Sequence, residues 1–337
     1  MIIGSCGYGA TGSSVLTDLL REFDDVQVYD EFEFVLAYMV DGLEDLEYHL
    51  MKQYAKNCSG DYAIERFLKK AKYYRVPFIH KPCDGNEFYR LSKEFISEIV
   101  QVEYKGVDTA DILFGNKFLP ISADIMSGNN FRDFFALASK KIFMPKVLER
   151  IAHRQVHIWP CRLMHYSIEP ENFYDAARKY TGEIIKAMGA DTTKPICLDQ
   201  PFEGNNPTQS FPFFDDPYAV IIDRDPRDLY LSQKYTKDPN AKFYPRTNVE
   251  NFVVYYRTMR RHQVPDERIL RLNFEDFVYG YDATVQKVIE FLRLGEHKRP
   301  KEYFDPSRSI NNTQLIRLHP DDINDIKIVE RDLKEFL

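Results

Sequence analysis

Residues 218–223 read YAVIID, a nearly continuous apolar run. A strand without polar alternation must be buried on both faces, as strands in the interior of a parallel sheet are. The rest of the chain supplies partners of the same kind. Residues 1–3, 26–29, 196–198 and 268–272 read as short strands. A helix carrying Val15, Leu16, Leu19, Leu20 and Phe23 follows the first of them, and helices at 226–235, 248–262 and 283–294 follow or separate the later ones. Gly295 is placed to close the helix 283–294, and a final charged helix covers 321–336. Strands alternating with helices imply an α/β fold, a parallel sheet flanked by helices, with ligands bound at the carboxyl ends of the strands.

From about residue 31 to 192 the pattern is mainly helical, clearest at 86–100 and 131–151, with a further helix from Pro170 to Gly189. Extended pieces at 77–80 and 156–159 interrupt it. No internal repeat, low-complexity stretch or Gly/Ser linker divides the chain, so 1–337 reads as a single domain with a large insertion. Five cysteines (Cys6, Cys58, Cys83, Cys161, Cys197) form no CxxC pair. This odd, sparse usage argues for a reducing, cytoplasmic setting and against structural zinc. No apolar run reaches the roughly eighteen residues of a bilayer span, and the opening MIIGSCGYG lacks the features of a signal peptide. A net charge of -7 argues against nucleic acid as a partner while leaving room for a local anion pocket. The 25 Phe and 22 Tyr are enough for a core and for aromatic walls of the kind that suit sugar substrates.

Two loops carry chemistry. The first is Gly7-Tyr8-Gly9-Ala10-Thr11-Gly12-Ser13-Ser14, between the first strand and the first helix. Its glycines let several N–H groups converge on one anion, and its serines add hydroxyl donors. Gly7, Gly12 and Ser14 fit GxxxxGK[ST], but Ser13 stands in place of the lysine, which argues against an ATP-driven kinase. A plain strand–helix turn is the ordinary alternative. The second is the run 222–232, IDRDPRDLYLS, in which Arg224 ends a strand, Pro226 starts a helix and Ser232 lies eight residues after Arg224. Arginine at a strand end can hold a phosphate bidentately; an Arg224–Asp228 ion pair is the alternative.

Together these motifs resemble the sulfotransferases that use 3′-phosphoadenosine-5′-phosphosulfate (PAPS), with a P-loop-like fold. In that family a [RK]SGTT-type loop holds the 5′-phosphosulfate, and an Arg and a Ser eight residues apart hold the 3′-phosphate. Arg224 and Ser232 match that spacing. The run 268–294 looks like the family's acidic strand–helix step, and 306–317 (PSRSINNTQLIR) is similar to its late nucleotide loop, with Asn311, Asn312 and Arg317 as the polar contacts. The resemblance covers residues 1–35 and about 195–318 as a nucleotide-binding core, leaving about 36–194 as an acceptor-binding insertion. It implies a PAPS co-substrate without metal, and a small-molecule or glycan acceptor lined in part by residues 201–206. The alternatives are a P-loop phosphotransferase and a non-catalytic nucleotide-binding homologue.

The family's basic loop residue falls on Ala10. Another cation must then serve, with Lys81, Arg162, Lys234 and Lys237 as candidates. For the general base, tyrosylprotein-type relatives point to Glu31 and cytosolic-type relatives to Asp199 beside Gln200, where the family has His; His80 is third. His153 and His157 lack a partner for metal ligation. Cys6, just before the loop, packs beneath it with some scope for a lowered pKa.

Overall fold

The computed structural model describes residues 1–53, 57–106, 162–238 and 242–337. These divide into two compact units. The first contains Met1–Glu47, Arg66–Glu98 and Asn172–Leu337; the second contains Tyr48–Glu65 and Ile99–Glu171. The anticipated helix at 131–151, the strand at 156–159, His153 and His157 lie outside the described residues.

In the first unit β1 (Ile2–Gly7), β2 (Gln27–Glu33), β5 (Ile196–Asp199), β6 (Pro217–Asp223) and β7 (Ile269–Asn273) form one sheet in the order β2-β5-β1-β6-β7. Every pairing in it is parallel. This is the α/β architecture anticipated from the sequence, a parallel sheet flanked by helices. The order explains the composition of β6. Flanked by β1 and β7 and covered on both faces, its residues 219–222 are all buried. The strand β1 is central, and the chain leaves it toward β2 on one side and later returns as β6 on the other. That reversal opens a crevice at the carboxyl end of β1, where the Gly-rich loop sits.

Two apolar clusters hold the layers. One joins Ile3, Val220, Ile222 and Leu272 of the sheet to Leu16, Leu19 and Leu20 of α1 (Ser14–Leu20) and to Val285 and Val288 of the helix Tyr281–Leu292. The other packs Leu229, Phe252, Tyr256, Ile326 and Val329 between the helices Pro226–Tyr235, Val249–Met259 and Ile323–Asp332. In the second unit, β3 (Val102–Gly106) and β4 (Arg162–Tyr166) form an antiparallel pair, and buried Asp61 accepts from the His165 backbone N–H at 2.8 Å.

Several local expectations need correction. Residues 77–80 form a turn, not an extended piece, because Pro77 and Pro82 bracket a chain reversal between helices. The helix 281–292 closes at Arg293 in the left-handed region, φ +54°, rather than at Gly295. The strand β2 runs on to Glu33 through three acidic residues, which an edge strand tolerates because one side faces solvent.

Candidate functional site

The loop after β1 contains three residues with positive φ: Gly9 at +79°, Ala10 at +54° and Gly12 at +88°. Left-handed residues interleaved with right-handed ones curl backbone N–H groups into an anion-binding concavity. Gly12 is required twice over, since a Cβ there would also lie 2.8 Å from the Phe274 ring. The capacity for an anion rests on the loop itself more than on a helix dipole, because α1 has only 7 residues.

The loop is fastened from several directions. Gly7 N–H donates to Gln200 Oε1 at 3.2 Å, and Gln200 Nε2 donates to Ser13 Oγ at 2.9 Å. Buried Thr11 accepts from Tyr8 N–H at 3.2 Å, and Ser5 Oγ donates to Ser13 O at 2.9 Å. Tyr8 is the main anchor. Its hydroxyl donates to Gly204 O at 3.1 Å and accepts from Gln263 at 2.8 Å and Arg271 at 3.1 Å. The Arg260 guanidinium lies 4.1 Å from its ring centroid, and Tyr244 donates to its carbonyl at 2.8 Å. Ser14 is left exposed at the loop's end.

Arg224 follows β6 and reaches across to this loop. One guanidinium nitrogen donates to Ala10 O at 3.4 Å and to Ser232 Oγ at 3.5 Å, both long; the other donates to Asn312 O. Its Nε is buried without a partner, and burial pulls the group's pKa down. A guanidinium with one close backbone acceptor, two long bonds and an orphaned buried N–H keeps donor capacity that an anion could take up. The Asp228 alternative fails, since that carboxylate accepts from Gln314 N–H at 2.8 Å and Leu315 N–H at 2.7 Å and so ties the late loop to the helix. In the late loop it is the backbone of Asn312 that meets Arg224. The Asn311 side chain turns back to Arg308 O at 3.2 Å, and Arg317 is exposed on a one-turn helix.

The three candidate bases are placed differently. Asp199 ends β5 and pairs in register with Ser5, two residues before the loop, so its backbone lies about 5 Å from β1 by ordinary sheet spacing. Its carboxyl has no side-chain hydrogen bond among the described residues. Burial, with Glu33 and Asp30 nearby, pushes its pKa up to about 7. Glu31 is exposed in the irregularity of β2, a strand further out, about 10 Å from β1. His80 is exposed in the turn before the helix Gly85–Ile99.

Of the candidate cations, Lys234 is committed to Asp322 at 2.7 Å and Asp325 at 2.8 Å, and Lys237 is exposed. Arg162 belongs to the second unit, where it pairs with Asp61, and Lys81 is half-buried beside the turn. Cys6 packs beneath the loop as anticipated, but complete burial raises its pKa rather than lowering it. No group of three or more His, Cys, Asp or Glu poised for a metal ion occurs among the described residues. Gln200, Arg260, Arg271 and Phe274 were missed as site builders. Only Gln200 carried a signal, its place beside Asp199.

No protein-family model and no curated protein matches the sequence. Among solved structures, the sulfotransferase domain from the curacin biosynthetic pathway is similar at 11% identity, covering 90% of this chain and 77% of that one, with a TM-score of 0.36. The sulfotransferase domain from the Synechococcus PCC 7002 olefin synthase is similar at 12% identity, covering 93% and 86%, with a TM-score of 0.37. Overlaps this loose carry no argument about activity. No helix among the described residues is long and apolar enough to cross a membrane.

Proposed function

We propose that the chain is a sulfotransferase that takes its sulfuryl group from PAPS and delivers it to an acceptor hydroxyl. The observation that carries this reading is Arg224, which touches the Gly-rich loop, Ser232 and the late loop while keeping a buried N–H unpaired. In this reading Arg224 and Ser232 hold the 3′-phosphate, with Asn311 and Arg317 at the rim. The backbone of residues 7–14 holds the 5′ end. Bound there, the donor supplies an activated sulfuryl group. The chain's own part is positioning and charge stabilisation. Asp199 is the base, displacing Glu31 from first place, because a carboxyl titrating near 7 is both ionised and basic enough at neutral pH. A carbohydrate hydroxyl is the acceptor class to assay first, on the strength of the aromatic-rich composition.

The test is calorimetry with 3′-phosphoadenosine-5′-phosphate against AMP. Losing one charge-assisted contact is worth about 1.5–3 kcal/mol, so Arg224→Ala should weaken the bisphosphate about tenfold or more and leave AMP unchanged. Equal losses for both ligands would make Arg224 structural. A second reading, a non-catalytic nucleotide binder, is favoured by Ala10 at the family's basic position. It predicts the same binding with no turnover on any hydroxyl acceptor.

A further inference from the structure

The turn between the helices Asn57–Tyr73 and Gly85–Ile99 has no part in the loop chemistry, and its composition is unusual for an exposed segment. Residues 66–83 read RFLKKAKYYRVPFIHKPC, with six Lys and Arg and no acid in a chain whose net charge is -7. Apolar side chains stand out from the same stretch: Phe78 is 91% exposed, Tyr73 54%, and Val76 and Ile79 38% each. Val40, 79% exposed, adjoins it through its carbonyl, which accepts from Lys70.

The turn is built rather than loose. Arg75 N–H donates to Lys72 O at 3.2 Å, Val76 N–H to Tyr73 O at 2.9 Å and Ile79 N–H to Val76 O at 3.3 Å. Buried Tyr74 pins its base, its ring centroid 4.6 Å from Phe88 and 6.2 Å from Phe32. Local duties explain some of the cations. Arg66 is bound to Asp41 and Asp45 at 2.6 Å each, and Arg75 donates to Asn86 at 2.9 Å. Lys69 and Lys72 are exposed, and no side-chain partner accounts for them among the described residues.

An exposed apolar turn preceded by the exposed Lys69 and Lys72 and followed by Lys81 is complementary to an anionic lipid surface. The apolar side chains reach the headgroup–acyl boundary while the lysines lie over the headgroups. We propose that residues 69–81 dock the protein on anionic membrane surfaces, independently of what the Gly-rich loop binds. A face of this composition distinguishes lipid from an ordinary protein partner by needing both terms at once, apolar insertion and negative surface charge.

The experiment is co-sedimentation of the full chain with phosphatidylcholine vesicles, with and without phosphatidylserine. Binding is expected only with phosphatidylserine and should fall steeply with salt. Each cation near such a surface contributes about fivefold, so Lys69→Glu with Lys72→Glu should cut binding by well over an order of magnitude. Phe78→Ser should cut it about tenfold, the worth of withdrawing one aromatic side chain from an apolar phase. Both variants should keep wild-type affinity for 3′-phosphoadenosine-5′-phosphate or, if that nucleotide does not bind, a wild-type melting temperature, so a folding failure is visible separately. Wild type that ignores phosphatidylserine vesicles overturns the proposal, as do variants that bind them as well as wild type. If Phe78→Ser instead alters the sedimentation coefficient of lipid-free protein while vesicles do not bind, the turn is a protein–protein interface and the proposal is wrong.

Discussion

The two sides of the Gly-rich loop are built on different principles. On the Arg224 side the groups come from one strand–helix turn, eight residues apart, and are locked by Asp228 to a late loop more than eighty residues away. On the Asp199 side a single carboxyl, without a side-chain hydrogen bond among the described residues, stands at a strand end and is raised to about 7 by burial and like charge. The first arrangement is rigid and complementary to fixed charge. The second stores unfavourable electrostatics, as a group that must pick up a proton does. In the proposed reading, recognition and reactivity fall to opposite neighbours of β1.

The sharpest way to break that contrast is on the reactive side. Asp199→Asn should lower turnover by about two to four orders of magnitude with bisphosphate affinity nearly unchanged, the usual range for losing a general base. Glu31→Gln should change turnover less than about threefold, as expected of a group outside the reacting centre. If the two results are exchanged in a steady-state assay, the exposed residue of β2 carries the proton and the strand-end assignment is wrong. Beneath the loop, Gly12→Val combines a left-handed backbone with a side chain forced against Phe274, and should destabilise the fold by about 2–4 kcal/mol in urea unfolding. Wild-type stability with lost nucleotide binding would show that Gly12 serves the anion alone.

Smaller effects sharpen the same contrast. The folded-state pKa of Asp199 lies above its unfolded value of 3.8, so ionising it in the folded protein opposes folding. That penalty is absent below the unfolded value, grows as pH rises through the window from about 4 to 7, and is complete above it. Asp199→Asn should therefore raise the melting temperature above pH 7, by a few degrees at most, and not at pH 4. An equal shift at both pH values would mean that packing, not charge, is responsible. Ala10→Lys keeps the same left-handed backbone and adds a cation beside the loop, so bisphosphate affinity measured by calorimetry should rise about threefold. A loss would mean that the space is already filled.

What the sequence disclosed divides along the same line. The sheet was legible because YAVIID can only be buried on both faces, and Arg224–Ser232 because both residues lie within one local turn. The long-range fasteners were not. Gln200 meets Gly7 across 193 positions, and Asp228 meets Leu315 across 87, with no local pattern announcing either. Helix ends were misplaced where a residue other than glycine took the left-handed cap, as Arg293 does. The packing of Cys6 beneath the loop was legible, but its full depth was not, and that burial raises its pKa where a lowered one had been allowed for.

The clamp on Tyr8 has a kinetic consequence. A loop held by three hydroxyl bonds, a stacked guanidinium and a bonded carbonyl already has its shape before any ligand arrives. Capture of an anion then involves no slow rearrangement, so stopped-flow traces should be single-exponential, with a rate that rises linearly with ligand concentration and slows with added salt. Loosening the clamp with Tyr8→Ala would move the ordering of the loop into the binding event itself. The entropy now spent during folding would then be spent at every encounter, and would appear as faster dissociation.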